Sequence, residues 1–116
     1  MITRKHRFHG YGSVNAVYRQ SSSVRGSVIS LRYARRDASK PYRVAVVVSK
    51  KVHKSAVVRN RIRRRIYEAV RTTDQVLPAG LDLVFTVFSD KVAAMEPQEL
   101  VTSINDLLQK ALTQAA

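Results

Sequence analysis

Positively charged side chains are crowded into one short stretch near the middle of this 116-residue sequence. Eight Lys or Arg residues and no acidic residue lie between Lys50 and Arg65. The guanidinium group of arginine is planar and donates paired hydrogen bonds, a geometry that matches the oxygen atoms of a phosphate. Acid–base or metal chemistry would need several converging carboxylates or histidines, and this stretch offers only His53. The residue types therefore indicate anion binding rather than catalysis.

Residues that could serve catalysis elsewhere in the sequence do not form a recognisable site. Seven of the eight acidic residues follow residue 67, and none forms a spaced pair near the basic stretch. His6, His9 and His53 have no metal-ligand partner at helical spacing, so surface or phosphate contacts explain them better than general-base catalysis. We therefore expect no catalytic residue and no metal site in this chain.

The charge is strongly polarised along the sequence. Residues 1–67 contain 18 basic residues and one acidic residue, Asp37, which gives +17, whereas residues 68–116 contain three basic and seven acidic residues, which gives −4. An excess confined to one part of a chain is typical of a protein with a polyanionic partner. Nucleic acid is favoured over a membrane surface, because the sequence has no long amphipathic basic helix with bulky apolar anchors.

The composition indicates a globular protein. Hydrophobic residues make up 45% of the sequence, far more than a disordered basic tail would contain, and the length suits a single domain over residues 1–116. The absence of cysteine is compatible with a reducing cytoplasm, where we expect the protein to lie. The longest apolar run, residues 44–48, is too short to cross a bilayer, and no signal-peptide pattern is present.

The spacing of apolar residues predicts the elements that position the basic stretch. Residues 28–33 alternate, with Ile29, Leu31 and Tyr33 on one face, as in a half-buried strand. Residues 43–49 contain five consecutive apolar residues, which predicts a central strand covered on both faces. We expect these two strands to form an antiparallel hairpin.

A helix over residues 55–71 is predicted to carry the basic stretch, with Ser55 as its N-cap. Pro78-Ala79-Gly80 precedes another strand, residues 81–88, so this region reads as a β-α-β unit. Arg59 and Arg65 lie at the edges of the helix's apolar stripe. We expect their side chains either to extend to the surface or to lie at an end of the helix, where they have room. The stripe itself consists of Val58, Ile62, Ile66, Ala69 and Val70.

Two further helices complete the predicted architecture. Val14, Val17 and Tyr18 repeat at helical spacing after Ser13, and a second amphipathic stripe follows Pro97 near the end of the sequence. Residues 21–23 are predicted to be a loose connection. The order is therefore α-β-β-α-β-α, an α+β sandwich with helices on a small mixed sheet.

The polar side of the central helix is the candidate binding surface. It presents Asn60, Arg61, Arg63, Arg64, Tyr67, Glu68 and Arg71. A solvated basic face is the simpler interpretation, but like charges one turn apart destabilise a helix by about 0.2–0.5 kcal/mol per pair. Phosphates would supply the missing counter-charge. A DNA-binding helix-turn-helix motif would need a second helix a few residues away, but strands are predicted before and after this helix. RNA is therefore favoured.

Two segments of the sequence closely resemble the signature of the bacterial ribonuclease P protein subunit. They are Ser49-Lys50-Lys51-Val52 and Ala56-Val57-Val58-Arg59-Asn60-Arg61-Ile62-Arg63-Arg64. The likeness extends to Arg7-Phe8, to the spacing of Val14, Val17 and Tyr18, to residues 77–82 and to the closing helix. It covers nearly the whole chain.

This resemblance implies a protein that joins a large catalytic RNA, helps it to hold precursor tRNA and magnesium, and promotes removal of the 5′ leader. Hydrolysis would belong to the RNA, so the protein alone is expected to be inactive. Mg²⁺ would be bound mainly by the RNA, with no organic cofactor and no obligate protein partner. The family's fold further implies a domain like domain 2 of ribosomal protein S5, with a left-handed β-α-β crossover.

The resemblance also assigns residues to two RNA-binding regions. Those expected to face the catalytic RNA are Lys50, Lys51, Lys54, Arg59, Asn60, Arg61, Arg63 and Arg64. Tyr67 joins them from its place on the solvent side of the helix, as a stacking residue or equally as a packing residue. The first helix and the open face of the sheet are expected to form the leader-binding cleft, and the residues expected there are Phe8, Val14, Tyr18, Arg32 and Tyr33.

The sequence departs from the family pattern at Val14 and Tyr18, where Phe is usual, and in a loop at residues 53–55 that is one residue longer. A structural RNA-binding protein such as a ribosomal one remains the alternative, because it needs only the basic surface and no leader cleft.

Overall fold

The computed structural model describes residues 22–35 and 39–115, which form four strands and two long helices. The strands are β1 (Ser22–Arg25), β2 (Ile29–Arg35), β3 (Arg43–Val47) and β4 (Leu81–Val87). The helices are α1 (Ala56–Arg71) and α2 (Pro97–Ala115), and a short 3₁₀ helix spans Asp90–Ala93. The predicted first helix, with Val14, Val17 and Tyr18, lies outside the described residues.

The strands form one mixed sheet in the order β1-β2-β4-β3. β2 is antiparallel to both β1 and β4, whereas β3 runs parallel to β4. Leu31 pairs with Phe85, and Phe85 pairs in turn with Val46, so one row of apolar side chains crosses three strands. The α+β class predicted from the sequence is confirmed, as is the β-α-β unit made by β3, α1 and β4. The left-handed crossover stays a prediction.

The predicted hairpin between β2 and β3 is wrong. β4 lies between these strands and pairs with both of them. The physical reason lies in β4 itself, since six of its seven residues are buried and a strand with neighbours on both sides protects such a sequence from water. β3 is accordingly at an edge of the described sheet rather than at its centre, although Val44, Ala45 and Val46 are all buried.

β1 was missed from the sequence, which predicted a loose connection at residues 21–23. Its register places Val24 opposite Leu31 on β2, and Val24 is the only buried residue of the strand. A strand of four residues with one buried side chain has too little alternation to reveal itself in the sequence.

Both helices pack on one face of the sheet, as their apolar stripes predicted. α1 buries Ile62, Ile66, Ala69 and Val70, and these join the core formed by β2 and β4. α2 adds Leu100, Ile104, Leu107, Leu108 and Ala111 to the same core. Each fully buried Leu or Ile contributes about 1.5–3 kcal/mol relative to an exposed side chain, so burial of the stripes fixes how each helix is rotated on the sheet.

The ends of α1 follow the sequence closely. Ser55 has an extended backbone conformation, and its hydroxyl oxygen accepts a hydrogen bond from the backbone N–H of Val58, at 3.4 Å between the heavy atoms. The helix continues to Arg71, and Thr72 caps it. The predicted N-cap and both helix limits are therefore confirmed. Beyond α1, Gly80 has a φ of 81°, a left-handed conformation that favours glycine, and β4 begins at the next residue.

A buried ion pair joins the parallel strands at their start. Asp82 on β4 is only 2% exposed and lies opposite Arg43 on β3. The Nε and Nη2 atoms of Arg43 donate to the two carboxylate oxygens of Asp82 at 2.9 and 2.8 Å. Hydrogen bonding to Asp82, more than the charge alone, raises the pKa of Arg43 above its ordinary value. The pair ties the edge strand β3 to β4 at the start of both strands.

Candidate nucleic-acid interface

The outer side of α1 and the turn before it form a surface of positive charge. We define the basic surface as Lys50, Lys51, Lys54, Asn60, Arg61, Arg63 and Arg64. Arg61 and Arg64 are exposed on the helix, one turn apart, and Lys50, Lys51 and Lys54 are exposed on its approach. Ion pairs in the described part of the chain join Arg43 to Asp82 and Arg71 to Glu68, and they leave Arg61 and Arg64 without an acidic partner there.

Arg63 and Asn60 are linked to each other within the basic surface. The Nη2 atom of Arg63 donates to the Oδ1 atom of Asn60 at 2.7 Å, across one turn of the helix. Arg63 is half-buried, whereas Asn60 is exposed. This hydrogen bond orients one edge of the guanidinium group along the helix, and it holds the Arg63 side chain beside the exposed charges of Arg61 and Arg64.

Arg59 fixes the turn that leads into α1. Its Nη1 atom donates to the backbone carbonyl oxygens of His53 and Lys54, at 2.9 and 2.8 Å. The Nδ1 atom of His53 in turn accepts a hydrogen bond from the backbone N–H of Ser55 at 3.0 Å. The expectation that the Arg59 side chain lies at an end of the helix, where it has room, is confirmed. His53 has a structural role in the turn that the sequence did not reveal.

Arg65, at the other edge of the apolar stripe, ties α1 to the segment before α2. Its guanidinium group donates to the backbone carbonyl oxygens of Val92 and Met95. These acceptors lie in and just after the 3₁₀ helix, so the arginine supplies donors to carbonyl groups near the start of α2. Arg65 is therefore a structural residue, which agrees with its absence from the residues predicted to bind RNA.

The C-terminal end of α1 carries a balanced charge. Arg71 donates to both carboxylate oxygens of Glu68, and this hydrogen-bonded pair holds the pKa of the Glu68 carboxyl well below its ordinary value. Tyr67 is half-buried and packs against the hydrophobic core, which matches the packing interpretation of this residue. Among the described residues, the exposed arginines without an acidic partner, Arg61 and Arg64, therefore lie in the middle of α1.

The residues predicted for the leader-binding cleft are separated by the structure. Arg32 and Tyr33 are neighbours on β2 and therefore point to opposite faces of the sheet. Tyr33 is 6% exposed on the face that carries the helices, and its hydroxyl donates to the Oε1 atom of Gln114 on α2 at 2.5 Å. Its assignment to an open sheet face is wrong, because it belongs to the same buried row as Leu31.

Arg32 lies on the other face, which we call the second sheet face and define by Arg25, Ser30, Arg32, Val84 and Thr86. Ser30 pairs with Thr86, and Arg32 pairs with Val84, so these residues form adjacent rows across β2 and β4. Arg32 is half-buried and is engaged in an interaction of its own. The other residues predicted for the cleft, Phe8, Val14 and Tyr18, lie outside the described residues.

Within residues 22–35 and 39–115, no three His, Asp or Glu side chains are grouped as a metal site would require. In the same ranges, no helix is both long and apolar enough to cross a membrane.

The fold and the basic surface together define a class, a small α+β protein with a cationic helix exposed on its surface. A model of the Ribonuclease P family matches residues 2–112. The ribonuclease P protein component of Gluconacetobacter diazotrophicus is 36% identical over 112 residues, covering 96% of this chain and 95% of the relative. That of Brevibacillus brevis is 33% identical over 108 residues, covering 93% of this chain and 84% of the relative. The chain belongs to the ribonuclease P protein family, and the resemblance in its sequence is confirmed.

Solved structures of the same family share the fold. The RNase P protein of Staphylococcus aureus superposes with a TM-score of 0.76 at 21% identity, covering 91% of this chain and 94% of that one. The protein from Thermotoga maritima gives a TM-score of 0.70 at 20% identity, covering 84% of this chain and 89% of that one. The family is one of tRNA processing, and its members are the protein components of ribonuclease P.

Proposed function

We propose that this chain is the RNA-binding subunit of ribonuclease P, which assists a catalytic RNA in the magnesium-dependent removal of the 5′ leader from precursor tRNA. The orientation of α1 carries the proposal. The helix buries its apolar stripe and turns Arg61 and Arg64 outward, without acidic partners among the described residues. Membership of the family supplies the identity of the RNA partners.

The charges of the basic surface are more favourable beside a bound phosphate backbone than in water alone. Arg61 and Arg64 lie three residues apart on one helix, so their charges repel each other in the free protein. A phosphate placed between or above them would replace this repulsion with attraction and release condensed counterions from the RNA. Arginine also forms paired hydrogen bonds with phosphate oxygens, which fixes the orientation of the bound backbone.

The two RNA partners would occupy different surfaces. The catalytic RNA binds the basic surface, with Arg59 holding the turn and Tyr67 packing at the edge of the helix. The 5′ leader of the precursor tRNA lies along the second sheet face near Arg32, with Phe8, Val14 and Tyr18 as further contacts. The protein acts in the cytoplasm and needs no obligate protein partner.

The chain's own residues do not fit a magnesium site in the described part of the structure. The carboxylates of Asp82 and Glu68 are hydrogen-bonded to arginines, and the remaining acids do not converge. Magnesium bound to the RNA would supply the activated water and stabilise the phosphate that is attacked. This chain binds and orients RNA, and we expect it to cleave nothing by itself.

A cleavage assay separates this function from that of a structural RNA-binding protein. The full chain is added to a bacterial ribonuclease P RNA and precursor tRNA, at magnesium and salt concentrations where the RNA alone works slowly. We expect the chain to raise the rate of leader removal, and the chain without the RNA to release no leader. If the folded chain binds RNA but does not stimulate cleavage, a structural RNA-binding protein such as a ribosomal one would be favoured. Cleavage by the chain alone would contradict the proposal that hydrolysis belongs to the RNA.

A further inference from the structure

An exposed aromatic ring stands at one end of the second sheet face. Phe88 follows β4 directly, and 44% of its surface is exposed. The guanidinium carbon of Arg25 lies over the ring, 4.9 Å from its centroid. The backbone N–H of Phe88 donates to the carbonyl oxygen of Val28 at 2.8 Å, so the residue continues the sheet and its position is fixed.

The register of the strands places this pair on the same face as Arg32. Val24 and Val87 are buried in the core beneath the helices, so their neighbours Arg25 and Phe88 point to the opposite side. Arg25 pairs with Ser30 on β2, and its side chain reaches across that strand to the ring of Phe88. The aromatic ring and the guanidinium group therefore form a short stacked unit beside the row that contains Arg32.

A polar cleft of about 180 Å³ at the edge of the sheet shares Arg25 with this unit, although Phe88 does not line it. It lies between the turn that joins β1 to β2 and helix α2, and its polar lining includes Arg25, Ser27, Ser103, Asp106 and Lys110. Two cations and one carboxylate leave the cleft with a net positive charge. The cleft could therefore accept one phosphate, with the serine hydroxyls as additional donors.

We propose that the Arg25–Phe88 pair stacks an unpaired nucleobase of single-stranded RNA, while Arg25 and Lys110 neutralise the phosphate beside that base. The proposal rests on the RNA-binding function above and assigns to it a base-stacking site outside the basic surface. Every nucleobase has a flat π-face that stacks on aromatic rings and on guanidinium planes, so this site tolerates any sequence.

Single exposed hydrophobic residues are normal on protein surfaces and need no functional explanation. Val76, which is 86% exposed, is such a residue. Phe88 differs because its ring already stacks against a cation and its backbone is held by the sheet. A preformed stack loses little conformational freedom when a base is added, which favours binding.

Fluorescence of 2-aminopurine tests the proposal, because stacking quenches this base. A short single-stranded RNA that carries the probe is titrated with the full chain at low salt. We expect quenching with the natural chain and with Phe88→Tyr, which keeps a ring. Phe88→Leu keeps apolar contacts but has no ring, so quenching should disappear and binding should weaken by about 5- to 150-fold. Val76→Ala, the matched control, should behave like the natural chain.

The possible outcomes separate the two proposals. If the natural chain binds the RNA and Phe88→Leu quenches as strongly as it does, the stacking site is refuted and the RNA-binding function stands. If the natural chain does not bind RNA in this assay or to ribonuclease P RNA, the proposed function fails as well. Circular dichroism melting of Phe88→Leu, expected to match Phe88→Tyr, checks that lost quenching does not reflect unfolding.

Discussion

Replacing both Arg61 and Arg64 by alanine should change how RNA binding depends on salt. Each phosphate contact made by a basic side chain contributes about 0.7–0.9 to the slope of log affinity against log salt concentration. Both guanidinium groups are exposed and have no acidic partner in the described part of the chain. Two lost contacts should therefore make the slope shallower by about 1.4–1.8.

This difference in slope is large enough to measure. Between about 50 and 200 mM salt, the affinity difference between the natural chain and the double variant should shrink by about 7- to 12-fold. Fluorescence anisotropy with labelled ribonuclease P RNA gives the dissociation constants across that range. Because Arg61 and Arg64 repel each other one turn apart, the variant should fold at least as stably as the natural chain, which a thermal melt checks.

Arg71→Ala provides a matched control in the same helix. It also removes one guanidinium group, but Arg71 is already paired with Glu68. We expect its slope to stay close to that of the natural chain. An unchanged slope in the Arg61 and Arg64 double variant would remove both residues from the interface, and an equal effect of Arg71→Ala would mean that only total charge matters.

Three further predictions concern stability. Asp82→Ala leaves Arg43 half-buried without its carboxylate, so the free energy of unfolding in urea should fall by about 3 kcal/mol; an unchanged midpoint would show that the pair does not anchor β3. Arg65→Ala leaves two carbonyl groups without a donor, so it should lower the free energy of unfolding by about 1.5–3 kcal/mol. The salt dependence of RNA binding should stay the same, and a shallower slope would place Arg65 in the interface. Because the pKa of Glu68 is lowered, its carboxylate contributes stability at pH values above the ordinary carboxyl pKa, and this stability is lost as the pH falls through the lowered value. Glu68→Gln should therefore be less stable than the natural chain at neutral pH but not at strongly acidic pH. An equal difference in stability at the two pH values would contradict the pairing with Arg71.

Helix α1 could be predicted from the sequence because its determinants are local. A capping serine, a stripe of apolar residues and a glycine before the next strand all lie within a few turns of one another. The charged surface follows directly, since the buried stripe decides which arginines face outward. The bond from Arg65 to the segment before α2 could not be foreseen, because its acceptors lie 27 and 30 residues away.

Strand pairing was harder to predict because it is not local. Apolar alternation identifies β2 and β4 as strands, but it does not say which strand lies beside which. The insertion of β4 between β2 and β3 depends on the crossover through α1. The position of Tyr33 is a local property, since alternation alone separates it from Arg32 and groups it with Ile29 and Leu31.

The contacts of Arg59 affect the entropy of complex formation. By holding two carbonyl groups of the turn before α1, this side chain joins the lysine-bearing approach to the helix as one stiff piece. Most of the loss of backbone freedom at this surface therefore occurs when the protein folds, before any RNA arrives. A looser turn would have to be ordered during each encounter. One arginine that faces its own backbone thus keeps the neighbouring charges ready for binding.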